Sequence, residues 1–218
     1  MLEELEKIKD SILIKGIKTQ ELSSMLGCLR GIIKKYDKGE TVISEGQKLE
    51  KFGLLIEGKL QVVQYDYLGN KSVVSVIEPK QIFGEAFAYV DKISSLDVEA
   101  IEKSKVLFLD SDKLSAPCQN CCIFHKQLVK NLLFIISNKN VNLTQKIECM
   151  SKRTTKEKLL TFLSLESIKQ NSKEFTISLD RQALADYLGV ERSAMSAELS
   201  KLRQDGIIEC EKSWFKLL

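Results

Sequence analysis

Two groups of residues in this chain have types and spacings that carry chemistry. The first is Cys118-Gln-Asn-Cys121-Cys122-Ile-Phe-His125, which puts three thiols and the chain's single histidine within eight residues. Cys-x2-Cys, with a histidine three residues after Cys122, is a spacing that suits metal ligation. Such donors hold zinc or help to hold an iron–sulfur centre. The blander reading of Cys118, Cys121, Cys122 and His125 is packing at a helix start, where cysteine behaves as a small apolar residue.

The second group is the segment LDRQALADYLGVERSAMSAELSKLRQDGII, residues 179–208. Asp180 is placed to cap a helix that runs to about Leu188, and Gly189 ends it as the residue that most easily turns left-handed. A second helix opens near Arg192 and runs to about Gln204. Ala185, Gly189 and Met195 stand at relative positions five, nine and fifteen of a helix-turn-helix. The small residue lets two helices cross closely, the glycine makes the turn, and the apolar residue closes the angle. Two short strands follow, Gly206–Cys210 and Trp214–Leu217, joined by a charged turn, which is the pattern of a wing. Within this unit Arg192, Ser193 and Ser196 are the candidate base readers, because arginine donates two bonds to guanine in the major groove. Arg181, Gln182 and Lys201 are candidates for phosphate contacts.

The elements that position these groups are legible in pattern. Residues 1 to about 30 read as short helices, with Leu2, Leu5, Ile8 and Ile12 at helical spacing. From Ile32 to Asp110 short β-rich runs alternate with glycines, and the runs Thr41–Ser44, Gly53–Ile56, Leu60–Tyr65, Ser72–Ile77, Val98–Ile101 and Val106–Leu109 are expected to be strands. Many short strands with turn residues between them argue for a barrel or a sandwich. Phe124, Leu128, Leu132, Ile135 and Ile136 then follow a helical period. That stripe packs against the chain's own strands, against a second copy, or against both on opposite faces. Past Lys139 it weakens to Val141, Leu143 and Ile147, so no strong heptad is expected. Thr154 to Ser167 reads as another helix, followed by a polar loop, Lys169 to Glu174. The organisation expected is 1–111, 112–150 and 151–218.

Composition excludes several classes. With 33 Lys and Arg against 30 Asp and Glu the net charge is +3, so bulk charge does not by itself establish a nucleic-acid partner. No stretch is apolar enough to span a bilayer, and no membrane partner is expected. The charged start MLEELEKIKD is unlike a secretory signal, which makes the cytoplasm the simplest location and free thiols or metal ligands the expected state of the six cysteines. One histidine, no nucleotide-binding glycine loop and no nucleophile motif argue against an enzyme. The remaining rivals are a metal- or redox-sensing regulator and a scaffold protein whose winged helix binds no DNA.

The whole chain resembles the Crp/Fnr family of regulators. The matching stretches, in the family's order, are Lys38–Ile43, Glu45-Gly46-Gln47, Leu55–Lys59, Leu68-Gly69-Asn70, Phe83-Gly84-Glu85 and Asp180–Ile208. The resemblance implies an α+β fold: an N-terminal antiparallel β-roll of the double-stranded β-helix type, a long dimerisation helix and a C-terminal winged helix-turn-helix. It implies a homodimer on palindromic double-stranded DNA, an effector in the roll and, as for transcription regulators generally, RNA polymerase as a partner. Gly84, Glu85 and Ser95 are the effector-binding candidates it yields.

Departures from the family pattern matter. Cyclic-nucleotide binders of the family carry an arginine about ten residues after the glutamate matched by Glu85. Here that region is Ile93-Ser94-Ser95-Leu96-Asp97. Serine is a poor substitute, because a cyclic phosphate needs a charged, bidentate donor or a nest of amides, and Lys92 is a flexible point charge. Cyclic AMP is therefore not the expected effector. The iron–sulfur sensors of the family carry an N-terminal cysteine cluster, where this chain has only Cys28.

Overall fold

The computed structural model describes residues 2–90, 92–115 and 123–218, so Cys118, Cys121 and Cys122 lie outside the described residues. The chain divides into two compact units, 1–136 and 137–218.

The first unit opens with helix α1 (Leu2–Ile8), a 3-10 turn at Ile12–Ile14 and helix α2 (Thr19–Cys28). Strands β1 (Ile32–Tyr36), β2 (Thr41–Ile43), β3 (Lys51–Glu57), β4 (Leu60–Tyr65), β5 (Lys71–Ile77) and β6 (Ile82–Phe83) follow. After the short helix α3 (Glu85–Ala88) come β7 (Asp97–Ala100) and β8 (Ser104–Asp110). They form two antiparallel four-stranded sheets, ordered β1-β8-β3-β6 and β2-β7-β4-β5, which is the β-roll.

Period-two alternation explains how one strand serves two cores. In β3, Phe52, Leu54 and Ile56 face a core shared with the N-terminal helices, while Leu55 faces the core drawn from both sheets. In β8, Leu107 and Leu109 join the first core, and Val106 and Phe108 the second. Both strands are therefore buried on two faces and read as continuous apolar runs. An ion-pair network fastens α1 to this layer. Lys105 Nζ lies 2.7 Å from both Glu4 and Glu57, and Lys7 Nζ lies 2.7 Å from Glu57. The hydrogen bond from Lys105 is the main cause that holds both carboxyl groups below the usual carboxylate range.

A short helix α4 (Ser111–Ser115) precedes the long helix α5 (Ile123–Met150). The two faces of α5 correct the expected seam. Phe124, Leu128 and Leu132 are at most 6% exposed and complete the chain's own first core, so Leu132 is not a residue left for a second copy. Asn131, an apparent interruption of the apolar stripe, is buried beside them. Its amide donates to the carbonyls of Leu13 and Lys15, both at 2.8 Å, and its oxygen accepts from Gln127 at 2.9 Å. The side chains left exposed include Val129, Leu133, Ile136, Leu143, Ile147 and Met150. With Asn140 inserted, these residues follow one another at steps of 4-3-4-3-4-3, a full heptad pattern that the sequence reading did not find.

In the second unit, helix α6 (Thr155–Gln170) starts at a capping box between Thr154 and Glu157. Strand β9 (Glu174–Thr176), helix α7 (Arg181–Leu188), helix α8 (Arg192–Gln204) and strands β10 (Ile208–Glu211) and β11 (Trp214–Leu217) complete it. The sheet order is β10-β11-β9. Strand β9 begins in the segment expected to be a polar loop. It pairs Phe175 with Phe215, so it exists because the hairpin offers it an edge.

Candidate nucleic-acid interface and effector region

The turn between α7 and α8 is built by a few side chains. Asp180 Oδ1 accepts the amide of Ala183 at 2.8 Å and caps α7. Gly189 ends α7 at φ +60°, a left-handed conformation that strains any residue with a Cβ. Lys158 donates to the carbonyls of Leu188 and Gly189, a cation at the negative end of the α7 dipole. Leu184, Ala185, Leu188, Met195, Leu199 and Leu202 are buried between the helices, as the spacing of Ala185, Gly189 and Met195 predicts.

Burial of Met195, Leu199 and Leu202 fixes which face of α8 is turned outward. At about 100° per residue, Arg192, Ser193, Ser196, Ser200 and Arg203 fall on one exposed face. Lys201 is exposed too, but sits roughly 130° around the helix from the centre of that face. Beside the face lies a groove of about 1010 Å³ whose lining includes Ser196, Ser200, Arg203, Lys212 and Trp214. Lys212, at the hairpin tip with φ +49°, is a candidate that the sequence reading passed over. Its only signal there was the charged turn between two short strands.

Arg181 and Gln182 are placed differently from each other. The Arg181 guanidinium lies 5.0 Å from the centre of the Phe215 ring, and its Nη1 is buried without a hydrogen-bond partner among the described residues. This arginine therefore braces α7 against β11 as well as lining the groove. Gln182 is exposed and donates to Asp186 at 2.9 Å.

In the roll, Gly84 adopts φ +77°, and a Cβ there would meet Ile43 Cδ1 at 3.1 Å. Glu85, the first residue of α3, is buried. Ser95 is exposed, whereas Ser94 is buried and its hydroxyl donates to the carbonyl of Leu96 at 2.7 Å. No arginine occurs in the sequence between Arg30 and Arg153. No arginine fork for a cyclic phosphate is therefore supplied at this point.

His125 is buried against Phe124, with the rings stacked at 4.7 Å. Among the described residues, no group of three or more His, Cys, Asp or Glu is gathered closely enough to hold a metal. Cys149, in the core of the second unit, is a different kind of thiol, its pKa pushed up by burial.

Comparison with known proteins agrees with this geometry. The cyclic nucleotide-binding domain family matches residues 33–121, and the Crp-like helix-turn-helix domain family matches residues 157–218. The chain belongs to the Crp/Fnr family. Among its relatives, the transcriptional activator protein FnrA of Stutzerimonas stutzeri is 22% identical over 193 residues, covering 83% of this chain and 74% of its own. The CRP-like cAMP-activated global transcriptional regulator of Mycobacterium tuberculosis is 19% identical over 200 residues, covering 91% and 88%. Among solved structures, the OCPA complex of CprK has a TM-score of 0.64 at 17% identity, covering 91% of each chain. As a Crp/Fnr protein the chain is a DNA-binding transcription regulator with an effector-binding domain. No helix among its described residues is long and apolar enough to cross a membrane.

Proposed function

We propose that the protein works in the cytoplasm as a homodimer that reads palindromic operator DNA and communicates with RNA polymerase, under control of an effector other than cyclic AMP. The observation that carries the DNA reading is the exposed face of α8. Arg192, Ser193 and Ser196 are exposed on it, while the flank roughly 100° around the helix is held by buried Met195, Leu199 and Leu202. Arg192 is assigned to a guanine edge, with Arg203, Gln182 and Lys201 on phosphates. Arg181 contributes mainly by holding the wing.

The exposed heptad of α5 supports the dimer. Six of its seven positions are apolar and Asn140 is the seventh, the arrangement by which one polar residue fixes register in a two-stranded coil. Two DNA-reading heads on one such coil call for half-sites about one helical turn, roughly 34 Å, apart. The deciding experiment is selection of bound sequences from a random DNA pool with wild-type protein and Arg192→Ala. A palindrome is expected from the wild type, and the variant should lose about 1–3 kcal/mol and its base preference at one position of each half-site. An unchanged selected sequence from the variant removes Arg192 as a reader. No selected sequence from the wild type removes the DNA reading and favours a scaffold role.

A further inference from the structure

Strand β1 alternates between two surroundings, as the period of two requires. Ile33 packs against the first core, whereas Ile32, Lys34 and Tyr36 line a cleft of about 270 Å³ between β1 and β2. Each of these is an edge strand of its own sheet, so the cleft leads in between the two sheets of the roll. Its floor is the second core itself, of which Val42, Leu49 and Phe108 are buried members. Its rim is basic: Lys34, Lys48 and Lys51 stand there, with Glu50 as the one carboxylate among the described lining residues. Lys34 Nζ lies 5.8 Å from the centre of the Phe108 ring, over the apolar floor. Lys51 Nζ donates to a neutral acceptor, the carbonyl of Arg30, at 3.3 Å. Among the described residues neither of these two ammonium groups is paired with a carboxylate.

An apolar floor under a cationic rim suits a molecule with an apolar body and one anionic end. A carboxylate takes charge-assisted bonds from ammonium groups, which are stronger than bonds to a neutral oxygen. The volume lies just under the roughly 300 Å³ at which ligand pockets begin, so the occupant is small and a nucleotide is too large. We propose that the cleft between β1 and β2 binds a small apolar monocarboxylate, about the size of benzoate, with its carboxylate on Lys34 and Lys51 and its body on Val42, Leu49 and Phe108. The cleft backs on the turn that starts α3. A Cβ at Gly84 would meet Ile43 at 3.1 Å and Leu49 at 3.4 Å, and both of these side chains line the cleft. A bound acid thus presses on side chains that leave no spare room at Gly84. The assignment deepens the reading of an effector other than cyclic AMP. It rests on that reading only for its effect on DNA, so binding is measured without DNA.

The full chain, labelled with nitrogen-15, is titrated with sodium benzoate at constant ionic strength and followed by its amide resonances. Benzamide, of the same shape without the charge, and inorganic phosphate, a charge without the apolar body, are titrated alongside. Benzoate should shift the amides of β1 and of residues 47–51 with a submillimolar Kd, and the two controls should bind at least about tenfold more weakly. Lys34→Met and Lys51→Met, which remove charge and leave the floor in place, should each weaken benzoate by at least about fivefold. Lys34→Arg should keep most of the binding, and Lys35→Met, on the other face of β1, should leave it unchanged. Circular dichroism checks that each variant is folded. No benzoate shift at about 10 mM, equal binding of benzamide or phosphate, or a constant that both methionine variants leave unaltered overturns the assignment. Benzoate binding that leaves the affinity for selected DNA unchanged upholds the site and overturns its part in control.

Discussion

Leu132 and Leu143 lie on the same helix, and replacing each by alanine should break different things. Leu143 is 59% exposed in the single chain, so more than half of its burial is still to be gained in a dimer. Full burial of a leucine contributes about 1.5–3 kcal/mol, which leaves roughly 1–2 kcal/mol per copy for the seam. Counting both copies, and allowing for the surface that alanine still buries, Leu143→Ala should weaken the dimer by about 2 kcal/mol, roughly 30-fold in Kd. Leu132 is 6% exposed and already packed within the chain. Leu132→Ala should instead take about 2–5 kcal/mol from folding stability through the cavity it leaves. Sedimentation velocity across nanomolar to micromolar protein measures the first effect, and urea unfolding of the diluted chain the second. Asn140→Leu should tighten the dimer while loosening its register. If Leu143→Ala dimerises as the wild type does, and Leu132→Ala dissociates without loss of folding stability, the assignment of the two faces is wrong.

Two other expectations follow from the first unit. Calorimetry with cyclic AMP and cyclic GMP should show no micromolar binding, because Ser94 and Ser95 stand where a charged fork is needed; a micromolar constant abolished by Glu85→Ala would overturn this. Lys105→Met should lower the melting temperature near pH 7, and the gap to wild type should narrow as the pH falls. Glu4 and Glu57 have depressed values in the folded chain, so their stabilisation is complete above the ordinary carboxylate pKa and is lost as pH drops through the folded values. A gap that stays constant from pH 7 to acid, followed by circular dichroism, contradicts that linkage.

The sequence was most informative where function rests on short-range rules. Asp180, Ala185, Gly189 and Met195 are tied by capping, close crossing and a left-handed turn, all within sixteen residues, and each lies where those rules place it. Strand β4 at Leu60–Tyr65 was equally plain. What escaped depends on partners distant in the chain. The stripe on α5 was visible, but periodicity cannot tell which of two adjacent faces meets the roll, and Asn131 looked like an interruption until Leu13 and Lys15 offered it carbonyls. Strand β1 carries Lys34 and Lys35 in its middle, so its β character is muted, and β6 is two residues long. Nothing nearby in sequence announces the Phe215 ring that packs on Arg181.

The bracing of the wing bears on how much change its tip can absorb. A lone two-stranded hairpin is marginally stable in water. Here β11 is paired on both sides, Phe215 is fully buried and stacked on Phe175, and Trp214 donates to Glu174. The exposed tip residue Lys212 is thus carried by a frame to which Ser213 adds a backbone bond, its carbonyl accepting the amide of Ile177 at 2.9 Å. Substitution of Lys212 should therefore cost the fold little, whereas loss of the Phe175 ring, although it lies before α7, should loosen the whole wing.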